Sequence, residues 1–236
     1  MLVKILLAFL VSFPAFAMIP RGDDRIRIAV IDTGVDIMRK DLRAYLCADG
    51  HKSFVDDKVF DDSTSRMHGT NVVGLIAQSI DPGKYCIVMI KWFGDQDDGQ
   101  RNNLEKETEA IDYAVSRGIS YINLSLSGLD FNQAEHDALQ RAIAAGIKIS
   151  VAAGNDRQNL DEVCNSFPAC YAKEFDPNMF HVVGSVEDPG RQSSFSNYGS
   201  IVHYIEDGED KGNPPLKGTS QSSAIHMGKW ASRQVK

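Results

Sequence analysis

The sequence predicts an α/β fold: a three-layer, doubly wound, mostly parallel sheet with helices on both faces. Short runs rich in Ile and Val recur along the chain, each only a few residues long, as strands covered on both faces tend to be. Between them lie stretches with apolar residues at helical spacing, and that alternation builds a parallel sheet with a helix layer on either side. Composition agrees: 236 residues, 43% hydrophobic and 24% charged, are ordinary for a globular protein.

The amino terminus reads as an address rather than as part of that fold. Lys4 precedes an apolar run over 5–13, and Ala15-Phe16-Ala17 supplies small residues where a signal peptidase cuts. Pro14 breaks the apolar stretch, which is shorter than the roughly 20 residues needed to span a bilayer. Residues 1–17 are therefore expected to be a signal peptide, and 18–236 a single domain that ends up secreted or periplasmic. Within that domain the first strand covers 27–31 and stops at Asp32. A helix follows over 68–78, with Val72, Val73, Leu75 and Ile76 on one side. Strands are then expected at 86–90, 119–124, 147–152 and 180–183. Helices at 104–115 and 133–145 separate them, the second stopped by Gly146. A last helical stretch begins at Ser220.

The balance is acidic, 25 Lys and Arg against 32 Asp and Glu for a formal charge of −7. That argues against a partner held through nucleic-acid phosphates. Cys47, Cys86, Cys164 and Cys170 form an even set, which an oxidising compartment would pair in one of three ways. Cys164 and Cys170 are six apart in a loop-like stretch, so a local bridge is the economical pairing and leaves Cys47 for Cys86. No Cys or His spacing fits zinc, and no metal or cofactor is expected.

In an open α/β sheet the chemistry sits beyond the carboxyl ends of the strands. Three such places carry suggestive residues: Ile31-Asp32-Thr33-Gly34 at a strand end, Met67-His68-Gly69-Thr70 at a helix start, and Lys217-Gly218-Thr219-Ser220 at another. A serine is a poor nucleophile until a histidine takes its proton, and a carboxylate orients and stabilises the charged imidazole. Ala152-Ala153-Gly154-Asn155 adds an amide whose NH2 can donate to an oxyanion. Singly each signal is weak, since an Asp often closes a turn and a Ser before a helix is more often a cap. Their joint occurrence in one order is the stronger signal.

Those motifs resemble the subtilisin-like serine proteases, the subtilase family, over nearly the whole chain after the first 25 residues. Ala29-Val-Ile-Asp32-Thr-Gly-Val-Asp36 resembles the aspartate motif and His68-Gly-Thr-Asn-Val-Val-Gly74 the histidine motif. Ile122-Asn-Leu-Ser125-Leu-Ser-Gly128 is similar to the strand lining the primary specificity pocket. Val151-Ala-Ala-Gly-Asn155 is similar to the oxyanion segment, and Gly218-Thr-Ser220 to the nucleophile. The resemblance implies that Asp32 orients His68, that His68 is the general base, and that Ser220 attacks the scissile carbonyl. It implies that Asn155 and the Ser220 N–H hold the oxyanion. Substrate would lie between Asp98-Gly99 on one edge and Ser125, Leu126, Ser127 and Gly128 on the other, above Ala152, Ala153 and Gly154. It further implies a cis bond at Phe167-Pro168, with Ser166 at the pocket floor.

The expected activity is thus a secreted, monomeric serine endopeptidase acting on polypeptides, with no nucleic-acid or membrane partner. If Asp95, Asp97 and Asp98 flank the groove, basic side chains would be favoured at the outer subsites. Three departures from the family pattern accompany the matches. Only residues 18–25 separate the expected cleavage point from the first strand, so no pro-domain is expected. The stretch over 77–86 is too short for a calcium-binding insertion, and Ala224 stands where the family has proline. The competing reading is a catalytically silent domain of the same fold that binds exported peptides or proteins. A phosphotransferase using Asp32 is disfavoured because Gly34 stands where a second carboxylate would be required.

Overall fold

The computed structural model describes residues 23–62, 64, 66–94, 103–187 and 190–233. Eight strands lie among them: β1 (Ile26–Asp32), β2 (Lys52–Ser53), β3 (Tyr85–Lys91), β4 (Tyr121–Leu124), β5 (Lys148–Ala152), β6 (Phe180–Glu187), β7 (Arg191–Gln192) and β8 (Tyr204–Asp207). The helices are α1 (His68–Ala77), α2 (Asn103–Ser116), α3 (Gln133–Ala144) and α4 (Thr219–Arg233). The strands form one sheet in the order β2-β3-β1-β4-β5-β6-β7, with β8 also on β6. Every pairing is parallel except β6 with β7.

Side chains alternate across a strand, and the two faces bury separate cores. Ile28 and Val30 of β1 and Ile87 and Met89 of β3 face α1 and α4, against Val72, Ile76 and Met227. Ala29, Ile31, Val88 and Ile90 face the other way, against Ile111 of α2 and Leu139 of α3. This two-sided burial is why the strands read as unbroken apolar runs. Capping fixes the helix ends: the Asn132 side chain accepts from the Ala134 and Glu135 N–H groups at 2.9 and 3.1 Å, and Gly146 closes α3 at φ +83°.

Two expectations need adjusting. β6 runs on to Glu187 rather than ending at 183, because β8 pairs with it from Val183 to Val186 and β7 with Val186 and Glu187. The edge strands β2, β7 and β8 carry no apolar run and were not foreseen. For function, the decisive feature is the chain's reversal. It leaves β1 for β3 on one side, then crosses by way of α2 to β4 on the other. Such a switch opens a crevice at the carboxyl ends of the flanking strands, here lined by Asp32 of β1 and Ser125 just beyond β4.

Candidate active site

Asp32 ends β1 with 3% of its surface exposed. Its Oδ1 accepts from the Thr33 N–H and from His68 Nδ1, both at 2.8 Å. The proton therefore sits on Nδ1 and leaves Nε2 free as an acceptor. Burial alone would depress the imidazole's pKa. The Asp32 charge and hydrogen bond outweigh that, with a smaller push from Asp62, so His68 titrates above the ordinary histidine value.

His68 opens α1 from Met67, which is left-handed and supplies no side-chain cap. Asp62 does that work from a distance. Its Oδ2 accepts the Thr70 N–H at 2.8 Å and the Thr70 hydroxyl at 2.6 Å. Its Oδ1 accepts the Thr33 and Thr64 hydroxyls at 2.9 and 2.8 Å. Thr33 Oγ1 in turn accepts the Gly69 N–H at 2.9 Å. A buried carboxylate thus satisfies the exposed donors of the helix and lies at its positive end. A side chain at Gly69 would collide with the Gly34 carbonyl oxygen, so the two loops approach as closely as their backbones allow. Asp62 was not singled out in the sequence, where it reads as one more acid in a polar loop. Lys91 holds that loop: its Nζ reaches Asp56 at 2.9 Å and the Asp61 carbonyl at 3.1 Å.

Ser220 lies in the first turn of α4, where a backbone N–H has no intrahelical partner. Its Oγ donates to the Ser125 carbonyl at 3.1 Å, and Ser125 Oγ donates to the Ser220 carbonyl at 2.8 Å. Among the described residues its hydroxyl makes no hydrogen bond to His68. A buried polar seam backs this clasp. Asn123 Nδ2 donates to Ser125 Oγ at 2.9 Å, Ser223 Oγ donates to Asn123 Oδ1 at 3.1 Å, and Ser150 meets Ser223 at 2.9 Å.

Asn155 follows β5 on an exposed turn. Its Oδ1 accepts the Thr219 N–H at 2.9 Å and the Thr219 hydroxyl at 3.1 Å. Two donors on one oxygen settle which way the amide faces, and its NH2 is left beside Gly218 and the Ser220 turn. Gly154, at φ +99°, brings this strand end close to Ser166 and Asn197, which any side chain there would strike. Ala152, Ala153 and Gly154 are buried, with Ser166 Oγ donating to the Ala153 carbonyl at 2.9 Å.

Ser125, Leu126 and Ser127 leave β4 along a groove of about 440 Å³, and Gly128 follows just beyond it. That groove also touches Asp32, Thr33, His68, Trp92 and Phe93. Gly128 exchanges two backbone hydrogen bonds with Phe167, at 2.7 and 2.9 Å. The Phe167–Pro168 bond is cis, and Asn213–Pro214 is a second cis bond that was not anticipated. Asp98 and Gly99, expected on the opposite edge, lie outside the described residues, as do Asp95, Asp97 and the signal stretch 1–17. Both disulfides have the expected pairing, Cys47 with Cys86 and Cys164 with Cys170. The other histidines have structural surroundings. His51 accepts the Met89 N–H and reaches the Cys47 carbonyl, while His181 and His226 bond to each other at 2.9 Å beneath Trp230.

A model described as the subtilase family matches residues 23–225. The chain is 29% identical over 198 residues to an intracellular serine protease of Paenibacillus polymyxa, covering 78% of this chain and 57% of that one. It is 32% identical over 216 residues to subtilisin-like protease 6 of Trichophyton tonsurans, covering 82% and 48%. It thus spans about half the length of these relatives. A solved cold-adapted subtilisin-like serine proteinase superposes with a TM-score of 0.71 at 25% identity, over 89% of this chain and 76% of that one. A solved lanthipeptide protease, 20% identical with a TM-score of 0.71, shares the fold.

Proposed function

Because this chain belongs to the subtilase family, we propose that it is a secreted serine endopeptidase working through Asp32, His68 and Ser220. The observation that carries the reading is His68 held through Nδ1 by Asp32 on a crevice that Ser125 also lines, with Ser220 clasped to Ser125 and Asn155 bonded to Thr219 beside it. In the reaction, His68 Nε2 takes the Ser220 proton as Oγ bonds to the scissile carbonyl carbon. The carbonyl oxygen becomes an anion that accepts from the Asn155 NH2 and the Ser220 N–H. The intermediate collapses, His68 gives its proton to the leaving amine, and an acyl-enzyme remains. Water then repeats the sequence with His68 again as base, releasing the acid and restoring Ser220. Asp32 stays ionised and stabilises the imidazolium at each stage.

The hydroxyl bond to Ser125 is compatible with this scheme, since catalytic hydrogen bonds are often loose before substrate arrives. Rotation about the Ser220 Cα–Cβ bond would redirect Oγ. An extended polypeptide would pair along Ser125, Leu126, Ser127 and Gly128, gaining main-chain hydrogen bonds with little sequence demand. Asp98 and Gly99 would form the facing edge. Export is supported by the signal-like stretch over 1–17 and by two disulfides, which persist in oxidising compartments. No helix among the described residues is long and apolar enough to cross a membrane.

The same Ser125 bond is the observation that favours the second reading, a catalytically silent domain that binds peptides. A fluorophosphonate probe separates the two. Purified protein should label, while Ser220→Ala and His68→Ala should not, with circular dichroism showing all three folded. A folded parent that fails to label would leave peptide binding as the function.

A further inference from the structure

The crevice continues past Trp92, Leu126 and Ser127 into a second cavity of about 260 Å³ between α2 and α3. Much of its wall is apolar, from Trp92, Leu104, Leu126 and Phe167. Its deepest polar groups are two carboxyls, Glu107 on α2 and Glu135 on α3, which are 3% and 2% exposed. Paired acids at such depth are costly when they serve only packing, and leucine would fill that space at lower cost.

Their hydrogen bonding is incomplete in a directed way. Glu135 Oε2 accepts the Tyr171 hydroxyl at 2.7 Å, and the two carboxyls hydrogen-bond to each other. Glu107 Oε1 is buried without any partner. Burial and the neighbouring Glu135 push Glu107 well above the usual carboxyl range. Burial also raises Glu135, against the opposing bonds from Tyr171 and Glu107. Like charges this close do not both ionise, so the pair shares one proton, donated by Glu107 to Glu135. The pair therefore carries at most one negative charge, and it leaves one unsatisfied acceptor beside the cavity. Asp130 adds another carboxylate to its lining, and no Lys or Arg is among the described residues that line it.

We infer that this cavity receives a lysine or arginine side chain of the substrate, with Glu107 and Glu135 as the residues that select it. The apolar walls suit the methylene stem of such a side chain, and the carboxyl pair supplies acceptors for its charged end. The position along the peptide rests on the peptidase reading. A strand paired with Ser125–Gly128 sends alternate side chains to opposite faces, so one residue two to four places before the scissile bond would enter.

The test uses internally quenched peptides with a common scissile leucine and Lys, norleucine or Glu at the second, third or fourth residue before it. At one position kcat/KM should be about tenfold higher for Lys than for norleucine, and lowest for Glu. Glu107→Gln should bring the Lys-to-norleucine ratio to within about twofold of one, whatever its absolute rate. Should that variant lose its cooperative melt, Glu135→Gln takes its place. Equal rates for Lys and norleucine at all three positions, or an unchanged ratio in a folded variant, would overturn the inference. Binding of the same peptides to Ser220→Ala, followed by anisotropy, separates the two readings. Lysine preference there without turnover by the parent would keep the subsite and sink the peptidase. Turnover without preference would do the reverse, and neither binding nor turnover would sink both.

Discussion

Asp32 acts on His68 in two ways: its hydrogen bond fixes the tautomer, and its charge raises the pKa against the pull of burial. On the proposed mechanism His68 must be neutral to accept the Ser220 proton, so activity should fall as pH drops through that raised value. The acid limb of kcat/KM is therefore expected to have its midpoint above 6.5, the unperturbed value. Asp32→Asn removes the two raising influences of Asp32 and leaves burial against only the smaller push of Asp62, so the midpoint of its residual activity should move down, and its rate should drop by about 10⁴. Profiles of kcat/KM against pH for both proteins check this, and a midpoint unmoved by the substitution would contradict it. At this scale the sequence exposed the residues whose chemistry is distinctive. It could not expose Asp62 or Asn123, whose roles come from partners such as Thr70 and Ser223 that folding alone brings near. Nor did the helical pattern mark Glu107, because its meaning depends on Glu135 across the gap between α2 and α3.

The elements differ in how openly they declared themselves. β1 and β3 were legible because both faces are buried, whereas α4 was visible only at its start. Its buried side includes Ser222, Ser223 and His226 alongside Ala224, Met227 and Trp230, which breaks the apolar period on which a helix reading depends. Ser223 and His226 are satisfied by equally polar positions on the sheet, Asn123, Ser150 and His181, and the Ser222 hydroxyl donates to the Glu206 carbonyl of β8. The His181–His226 pair makes this seam sensitive to acid. Burial lowers His181 to about 4, helped by the charge of His203, and lowers His226 to about 3, helped by that of His181. Both are neutral in the fold, while the unfolded chain takes up protons below about 6.5, so stability must fall as pH drops through that window. From pH 6.5 to pH 5 the two together should remove about 3 kcal/mol, because each unfolded-state histidine goes from half to nearly fully protonated over that window at about 1.4 kcal/mol per proton per pH unit. Urea unfolding at the two pH values measures it. His226→Gln, which keeps a partner for His181, should show about half the loss.

For the molecule as a whole, alternation of apolar runs and helical stretches was enough to specify the layered sheet, because each layer buries its own face. The short edges escaped notice for the opposite reason, as β7 and β8 have little to bury. The covalent frame was legible from spacing, and its two bridges are unequal. By loop entropy the Cys47–Cys86 link, at a separation of 39 residues, contributes about 3.9 kcal/mol, against about 2.2 kcal/mol for Cys164–Cys170, at a separation of 6. An exported chain should carry both bridges and begin at Met18. Intact mass after alkylation checks this: no label without reductant, four labels per chain with it. A protein recovered with free thiols and residues 1–17 still attached would contradict the export reading.

The reversal of the chain at β1 has a consequence for timing. Asp32 and His68 come from the half of the fold before the crossing, and Asn155 and Ser220 from the half after it. No early portion of the nascent chain contains a working set, and the last member stands on the final helix described. On the proposed mechanism, hydrolytic competence would therefore switch on only once Ser220 has been made and both halves have docked, so a chain stopped short of α4 poses no danger to the ribosome or export machinery around it.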